Sequence, residues 1–445
     1  NASLAGTMHV LGAPDGYTVK SNENLLTAGK LSGTFDTLTL ASSVFYTGTL
    51  AYTGTQVNVS LAQANVASAA AGGGLLPLAT SETRLAASHV QSALDVSNRW
   101  FTQSGANGHE AWFADAGRFL SASNPALATM SLNSLSGEIY ATSRAVEAAQ
   151  SLAADATIAH REHDLAYTMT PGVWVQALGA DGALARKGYE SANYRASGAM
   201  IGMDGRFNAT WSAGIALGRT HSNASMTALG GDLDGRENVA AIYARWDAPH
   251  GWYAAARTSY ASIRNNVHRH VLLGTTLTSL TGNRTDHVTL GAVESGKTMA
   301  RGAASLTPYV SITDLHLAQG SFAERSSTMG LAAPAQTHDA LLGTLGLRYR
   351  WSFNWAPGHS SLTGRLAFRH AISGANLAVK ASFNGVPDST FLAQGQNLPR
   401  DLGIIGAELV TQVDTHWSWY VDADYQAGSA GTHQIGADAG VRLGF

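Results

Sequence analysis

The residues whose types and spacing could do chemistry fall in a few places. VHRH at 267–270 sets two imidazoles at i and i+2, a spacing that could serve a metal ion. No carboxylate lies beside them in sequence, and the surrounding NNVHRHVLLGTTLTSLTGNRT reads as a solvated outer loop, so no metal centre is expected there. GGG at 72–74 lacks the Lys-Ser/Thr that a phosphate-cradling loop needs and reads as a flexible joint. Ser, His and Asp are plentiful in the long polar stretches, yet neither G-x-S-x-G nor GTSMA occurs to hold a serine nucleophile. Cysteine is absent, which removes disulfide frameworks, thiolate zinc clusters and thiol nucleophiles. No catalytic, metal-binding or cofactor-binding residue is therefore expected.

The charges that do fall in a pattern belong to two-faced segments. HWSWYVDADYQ alternates Trp417, Trp419, Val421, Ala423 and Tyr425 with Ser418, Tyr420, Asp422, Asp424 and Gln426. LGLRYRW sets Leu345, Leu347, Tyr349 and Trp351 against Arg348 and Arg350. SLTGRLAFRH sets Leu362, Leu366 and Phe368 against Thr363, Arg365 and Arg369, and Arg257 takes the polar side of GWYAAARTSYAS. A period of two is the signature of a β-strand with one apolar and one polar face. From residue 172 onward about twelve such segments can be read, including GVWVQALG, TWSAGIALGRT, ENVAAIYARW, DHVTLGAVESGK and DLGIIGAELVTQ.

The connections alternate too. RFNATW, WDAPHGW, TMARGAAS, NWAPGHSS and VDTHWS are tight, whereas GADGALARKGYESANYR, HSNASMTALGGDLDGR and SGANLAVKASFNGVPDSTFLAQGQNLPR are long and polar. Short turns at one end and long loops at the other are the layout of an outer-membrane barrel. Trp211, Trp246, Trp252, Trp351 and Trp417 recur near the turns, as an interfacial girdle requires and a soluble sandwich would not. Charged residues make up only 13%, about half the share of soluble domains. With a net charge of −3 there is no electrostatic case for a nucleic-acid partner.

Before residue 172 the character differs. Residues 1 to about 60 hold short Thr/Val/Leu/Gly runs such as YTVK and TQVNVSL, which is β material with frequent turns. ANVASAAAGGGLLPLATS reads as a linker, and Ala-rich segments follow, with Ser81 and Ser123 as N-cap candidates. The stretch from 143 to 164 has no Gly or Pro and reads as a helix of some six turns. No apolar run reaches the eighteen residues that a helical membrane span needs. NASLAGTMHV lacks the basic start and apolar core of a signal peptide, so the chain is read as either cytoplasmic or missing its natural beginning.

The chain ends ADAGVRLGF, with Ile435, Ala437, Ala439, Val441, Leu443 and Phe445 on one face. In hydrocarbon each unpaired backbone group costs several kcal/mol, so a membrane sheet must close on itself. The last strand is expected to pair with the one near Val173 to Leu178, with Val441, Leu443 and Phe445 facing lipid and Arg442 facing inward.

Taken with LSGE inside SLNSLSGEIYATS, this terminal strand and the long preceding helix resemble the autotransporters of type V secretion. The N-terminal β region is similar to the passenger stem that follows the protease in subtilisin-like serine-protease autotransporters. The resemblance implies an all-β membrane protein, an outer-membrane barrel of about twelve antiparallel strands with a lumen α-helix, preceded by a helical linker and a short stem. It implies a stem over 1–64, a Gly-rich linker over 65–80, helices over 81–167 with the lumen helix near 143–166, and the barrel over 168–445. The chain would anchor in the bacterial outer membrane and export an N-terminal passenger to the cell surface. That passenger would be a subtilisin-like protease whose catalytic residues are not in this chain. The implied partners are membrane lipid, the β-barrel assembly machinery that reads the strand of Val441, Leu443 and Phe445, periplasmic chaperones and the chain's own passenger, with the barrel a monomer and no cofactor. Within such a lumen, Glu147, Asp155, Arg161, Glu162 and Asp164 of the helix either form ion pairs with Arg257, Arg348, Arg350, Arg365, Arg369, Asp422 and Asp424 of the wall, which would position the plug, or these charges simply solvate a water-filled interior. Some family members cut their own helix at an Asn; 143–166 contains none, which argues against self-cleavage. A stand-alone porin or an adhesin-type barrel is the alternative reading.

Overall fold

In the computed structural model, which describes residues 1–445 except 11–15, 41–42, 73, 168–169, 227–230 and 356–357, twelve antiparallel strands form one closed cylinder. They are β1 (Gly172–Leu184), β2 (Ala192–Arg206), β3 (Trp211–Met226), β4 (Gly231–Asp247), β5 (Trp252–Leu273) and β6 (Thr276–Lys297), then β7 (Ala304–Gln319), β8 (Gln336–Trp355), β9 (Gly358–Ser373), β10 (Asp401–Gln412), β11 (Trp417–Gly428) and β12 (His433–Gly444). Each strand pairs with its sequence neighbours, and β12 closes on β1 with Val441 opposite Val175 and Leu443 opposite Val173. Closure satisfies every ladder and leaves no edge for lipid to meet.

Alternation sorts the faces. Ile215, Ile242, Val310, Leu345, Leu366, Phe368, Ile405 and Val421 point outward, and their inward neighbours are buried. Trp211, Trp246, Trp252, Trp351 and Trp417 lie on the outer surface at the tight-turn end, Trp211 directly opposite Trp246. On β12, Val441 is exposed outward and Arg442 is buried inside, and Phe445 just past the strand is exposed.

Several stretches that read as loops are strand. β5 and β6 form one long hairpin turning at Gly274, so the expectation of an outer loop around VHRH is corrected. The segments that read as loops before 195 and before 236 also belong largely to β1, β2, β3 and β4. The reason is physical: beyond the bilayer neither face meets lipid, and the apolar half of the alternation disappears although the hydrogen-bonded ladder continues.

Among the described residues, five helices precede the barrel: α1 (Val66–Ala70), α2 (Ser81–Ser104), α3 (Glu110–Leu120), α4 (Pro125–Leu135) and α5 (Glu138–Asp164). The N-caps of α2 and α4 fall one residue from the expected Ser81 and Ser123. Thr80 caps α2 in a reciprocal box with Thr83, and Asn124 caps α4 through Leu127 N–H, with Pro125 at the first helical position. Of the glycine triplet, Gly73 lies outside the described residues.

The long connections do not hang free. Phe322–Ala323, Leu331–Ala333, Val379–Phe383 and Val386–Ala393 form a small antiparallel sheet at the loop end of the barrel. α2 and α3 pack against it: Trp112 meets Phe383 at 6.0 Å, and His89 stacks on Phe391 at 4.1 Å. Together they make a cap over that mouth. The N-terminal strands Ala2–Leu4 and Thr7–Val10 pair in parallel with Leu31–Gly33 and Thr37–Leu40, in the manner of solenoid rungs. This region rests on the cap, with the buried Phe45 ring stacked on Phe119 at 5.1 Å.

Candidate functional site

The site is the lumen, and α5 fills it. Its 27 residues give a rod of about 40 Å, longer than the hydrocarbon core of about 30 Å. Ala141, Ala145, Ala148 and Ala154 keep the helix thin and favour its formation. Arg161 in the last turn suits the helix dipole. The helix starts at Glu138, ahead of the expected 143, because Gly137 of LSGE turns the chain at φ 71°. A side chain there would also meet Leu331 Cδ1 of the cap sheet at 2.6 Å. Gly137 is thus fixed both by its left-handed backbone and by a neighbour.

Polar contacts bind α5 to the wall in tiers. Near its start, Arg269 of β5 donates to both oxygens of Glu324 at 2.6 Å, and Tyr140 of the helix donates to the same carboxylate at 2.8 Å. One turn on, Arg144 donates to Gln319 Oε1 at 2.5 Å, and a further turn on Arg284 of β6 donates to Glu147 Oε1 at 2.7 Å and to Asp286 Oδ2 at 2.6 Å. Ser151 then donates to Glu237 of β4 at 3.0 Å, and Gln150 bonds Thr220 of β3.

The tightest clasp lies lower. Arg257 of β5 grips both oxygens of Asp155 at 2.7 and 2.8 Å and reaches Glu162 at 3.2 Å. Across the lumen, Arg161 of the helix donates to Asp204 of β2 at 2.9 Å, and Tyr243 donates to the same carboxylate at 2.9 Å. Bidentate, charge-assisted bonds of this kind are about twice as strong as neutral ones. Beside α5 a cavity of about 150 Å³ remains, bordered by Ala149, Ala153, Ala156, Arg348, Arg369 and Asp424. α5 runs along the lumen and the cap covers its loop end, while the tight-turn end opens into a cavity of about 910 Å³ bordered by Arg161, Tyr167, Arg350 and Arg442.

The autotransporter beta-domain profile matches residues 173–424, more than half of the chain. The chain belongs to the autotransporter family. Among solved structures, the translocator domain of autotransporter NalP from Neisseria meningitidis is similar at TM-score 0.55 and 17% identity, covering 69% of this chain and 99% of that one. The beta domain of the Bordetella autotransporter BrkA gives 0.46 and 18%, covering 62% of this chain and 100% of that one. No curated protein matches by sequence. This autotransporter barrel is therefore an outer-membrane translocator domain.

Of the autotransporter's inward charges read from sequence, Arg257 is the one that holds helix carboxylates in direct hydrogen bonds. Arg348 is instead paired with Glu294 of the wall at 2.7 Å, and Arg365 with Asp422 of the wall at 2.5 Å. Arg350 stands 3.6 Å from Asp164 and lies over the Tyr167 ring, and Arg369 donates to Gln426 at 3.5 Å. Asp424 accepts from Gln426 at 3.0 Å. Arg284, Arg269, Asp204, Glu237, Glu294 and Glu324 escaped the sequence reading. Parity could have found Arg284, Asp286 and Glu294, which share the inward register of β6 with Val288, Leu290 and Ala292. His268 and His270 lie on β5, and Arg269 between them is the residue that points inward.

Proposed function

We propose that this chain exports an N-terminal passenger and afterwards remains as its membrane anchor, with α5 locked in the lumen by ion pairs between helix and wall. One observation carries the reading: the chain path. The stem and cap stand at the loop end, α5 descends through the lumen, and β1 starts at the tight-turn end beside Pro171. Whatever lies N-terminal to α5 is thus on the loop side, which in this reading is the cell surface. A free-standing porin has no use for a lumen so blocked.

The stem's likeness to that of subtilisin-like autotransporters supports a serine-protease passenger, a role that belongs to residues outside this chain. The strand bearing Val441, Leu443 and Phe445 supports recognition by the β-barrel assembly machinery, and a barrel closed by twelve paired strands supports a monomer delivered by periplasmic chaperones.

An epitope placed before Asn1 tests the export reading. Protease added to intact cells should remove the epitope and leave the barrel whole. An epitope that is cut only after the outer membrane is broken would overturn the proposal. For the passenger, a fluorophosphonate probe on cells bearing the whole gene should label a surface serine hydrolase, and absence of label would remove the subtilisin-like assignment.

A further inference from the structure

A second feature of the lumen has nothing to do with clasping the helix by arginine. The register places Asp422 of β11 directly opposite Glu408 of β10 on one side and directly opposite Asp438 of β12 on the other. Three inward carboxylates in a row across neighbouring strands repel one another, since like charges at opposed positions are destabilising. Their direct cationic contact is Arg365, which donates to Asp422 at 2.5 and 2.7 Å. The nearby Arg257 and Arg348 are committed to Asp155 and Glu162 and to Glu294. Arg365 thus answers one carboxylate of the three.

Facing this row, α5 presents His160. Its Nδ1 is buried without a hydrogen-bond partner and lies 3.8 Å from Asp422 Oδ1. Asp438 is held in place by Gln176 of β1, which donates to its Oδ2 at 3.1 Å, and by Thr157 of α5 at 3.4 Å. One ligand atom from each of His160, Asp422 and Asp438 lies within 4.8 Å of the other two, the one such group among the described residues.

We propose that His160, Asp422 and Asp438 form a divalent-cation site of the zinc class. The donor set is one imidazole nitrogen and two carboxylate oxygens, which suits Zn²⁺ and its transition-metal neighbours and not Mg²⁺ or Ca²⁺, whose preference is for oxygen alone. A tetrahedral ion with bonds of about 2.0–2.2 Å holds its ligand atoms about 3.3–3.6 Å apart, so the three groups need to converge by about an ångström. The fourth position falls to water in the wet lumen, and the ion's positive charge offsets the repulsion within the carboxylate row. Its location gives it a task. The ligands come from α5 and from β11 and β12, and Gln176 links Asp438 to β1, so the ion staples the plug to the seam at which the cylinder closes.

The experiment uses the full chain folded in detergent, stripped with EDTA and titrated with ZnCl₂ by calorimetry. Zinc is then counted by elemental analysis after gel filtration, with MgCl₂ as the control. The expected result is one tightly held Zn²⁺ per chain, a Zn²⁺-dependent rise in the temperature at which the barrel unfolds in SDS, and no response to Mg²⁺. His160→Gln and Asp438→Asn should each weaken the tight site at least tenfold and abolish the thermal shift. Equal zinc content and equal shift in wild type and both variants would place the ion on surface histidines and overturn the proposal, as would a wild type that retains no zinc. Should Asp438→Asn fail to fold, His160→Gln carries the comparison, because its Nδ1 has no hydrogen bond to lose.

Discussion

Replacing Arg257 with Met keeps the aliphatic stem and removes the guanidinium that clasps Asp155 and Glu162. Asp155, Glu162 and Arg257 are all buried, so the change strands two carboxylates in the lumen. Breaking a buried pair by removing one partner costs about 3–5 kcal/mol. At one factor of ten per ~1.4 kcal/mol, the balance between seated and displaced helix should shift by roughly a hundred- to a few thousand-fold. The loss is local. Arg284 still holds Glu147, and Arg269 still bonds the carboxylate that accepts from Tyr140, so the start of α5 should stay protected. Hydrogen exchange of the folded chain should therefore rise over 151–164 while 138–148 changes little, and planar-bilayer recordings should show more frequent openings. Adding Asp155→Asn and Glu162→Gln removes the stranded charges and should restore most of the protection. Arg348→Met is the matched control: its carboxylate is Glu294 of the wall, so it should weaken the wall without selectively releasing the helix. Unchanged exchange and conductance in Arg257→Met would refute the view that ion pairs seat the plug.

Deleting Phe445 removes the exposed aromatic end of β12 and should lower the inserted fraction, read as heat-modifiable protein in the membrane pellet, while leaving the melting of already folded barrels nearly unchanged. Gly137→Ala forces a left-handed alanine and a contact at 2.6 Å with Leu331, costing about 1–3 kcal/mol; limited proteolysis should find the junction of α4 and α5 more easily cut. In the cap, burial against Phe391 pushes the His89 imidazole down to about 4 from 6.5. Its share of stability, about 3 kcal/mol, is complete above pH 6.5 and is lost as pH falls toward 4, so His89→Leu should flatten the acid limb of cap protection measured by proteolysis. Glu138 goes the other way: burial, then the Glu82 and Glu190 carboxylates, raise it above 4.5. That contribution is full below pH 4.5 and is lost as pH rises, and Glu138→Gln should remove the alkaline loss.

Much of the barrel could be read from the chain because lipid imposes a simple code. Tyr349, Trp351, Leu366 and Phe368 had to be apolar at every second position, and Arg348 and Arg365 had room between them. The code fails in two places. Above the bilayer, β5 and β6 keep their ladder as far as Gly274 but are no longer sorted by lipid, so 265–285 reads as loop. Inside, the lumen is filled by a helix and not by water alone. Val239, Ala241, Val288, Leu290 and Ala292 are therefore apolar on the inner face, and alternation blurs where the plug is closest. Which inward arginine touches the helix and which touches the wall depends on the rotation of α5 about its axis, and strand parity carries no information about that. The cap was legible only as a set of Ala-rich helices, because its other half is a sheet assembled from two separate connections.

The place where α5 leaves the lumen is also where the cylinder is sealed. Phe445 N–H donates to Pro171 O at 3.0 Å, and Arg442 bonds Thr170 O and Asp204, the same carboxylate that holds Arg161. The final residues of the chain thus dock on the segment that connects helix to first strand. A cylinder zipped shut with its helix elsewhere would displace those acceptors and lose the bonds that finish the zip. A seated helix and a sealed cylinder therefore rest on one set of contacts, so neither is complete without the other.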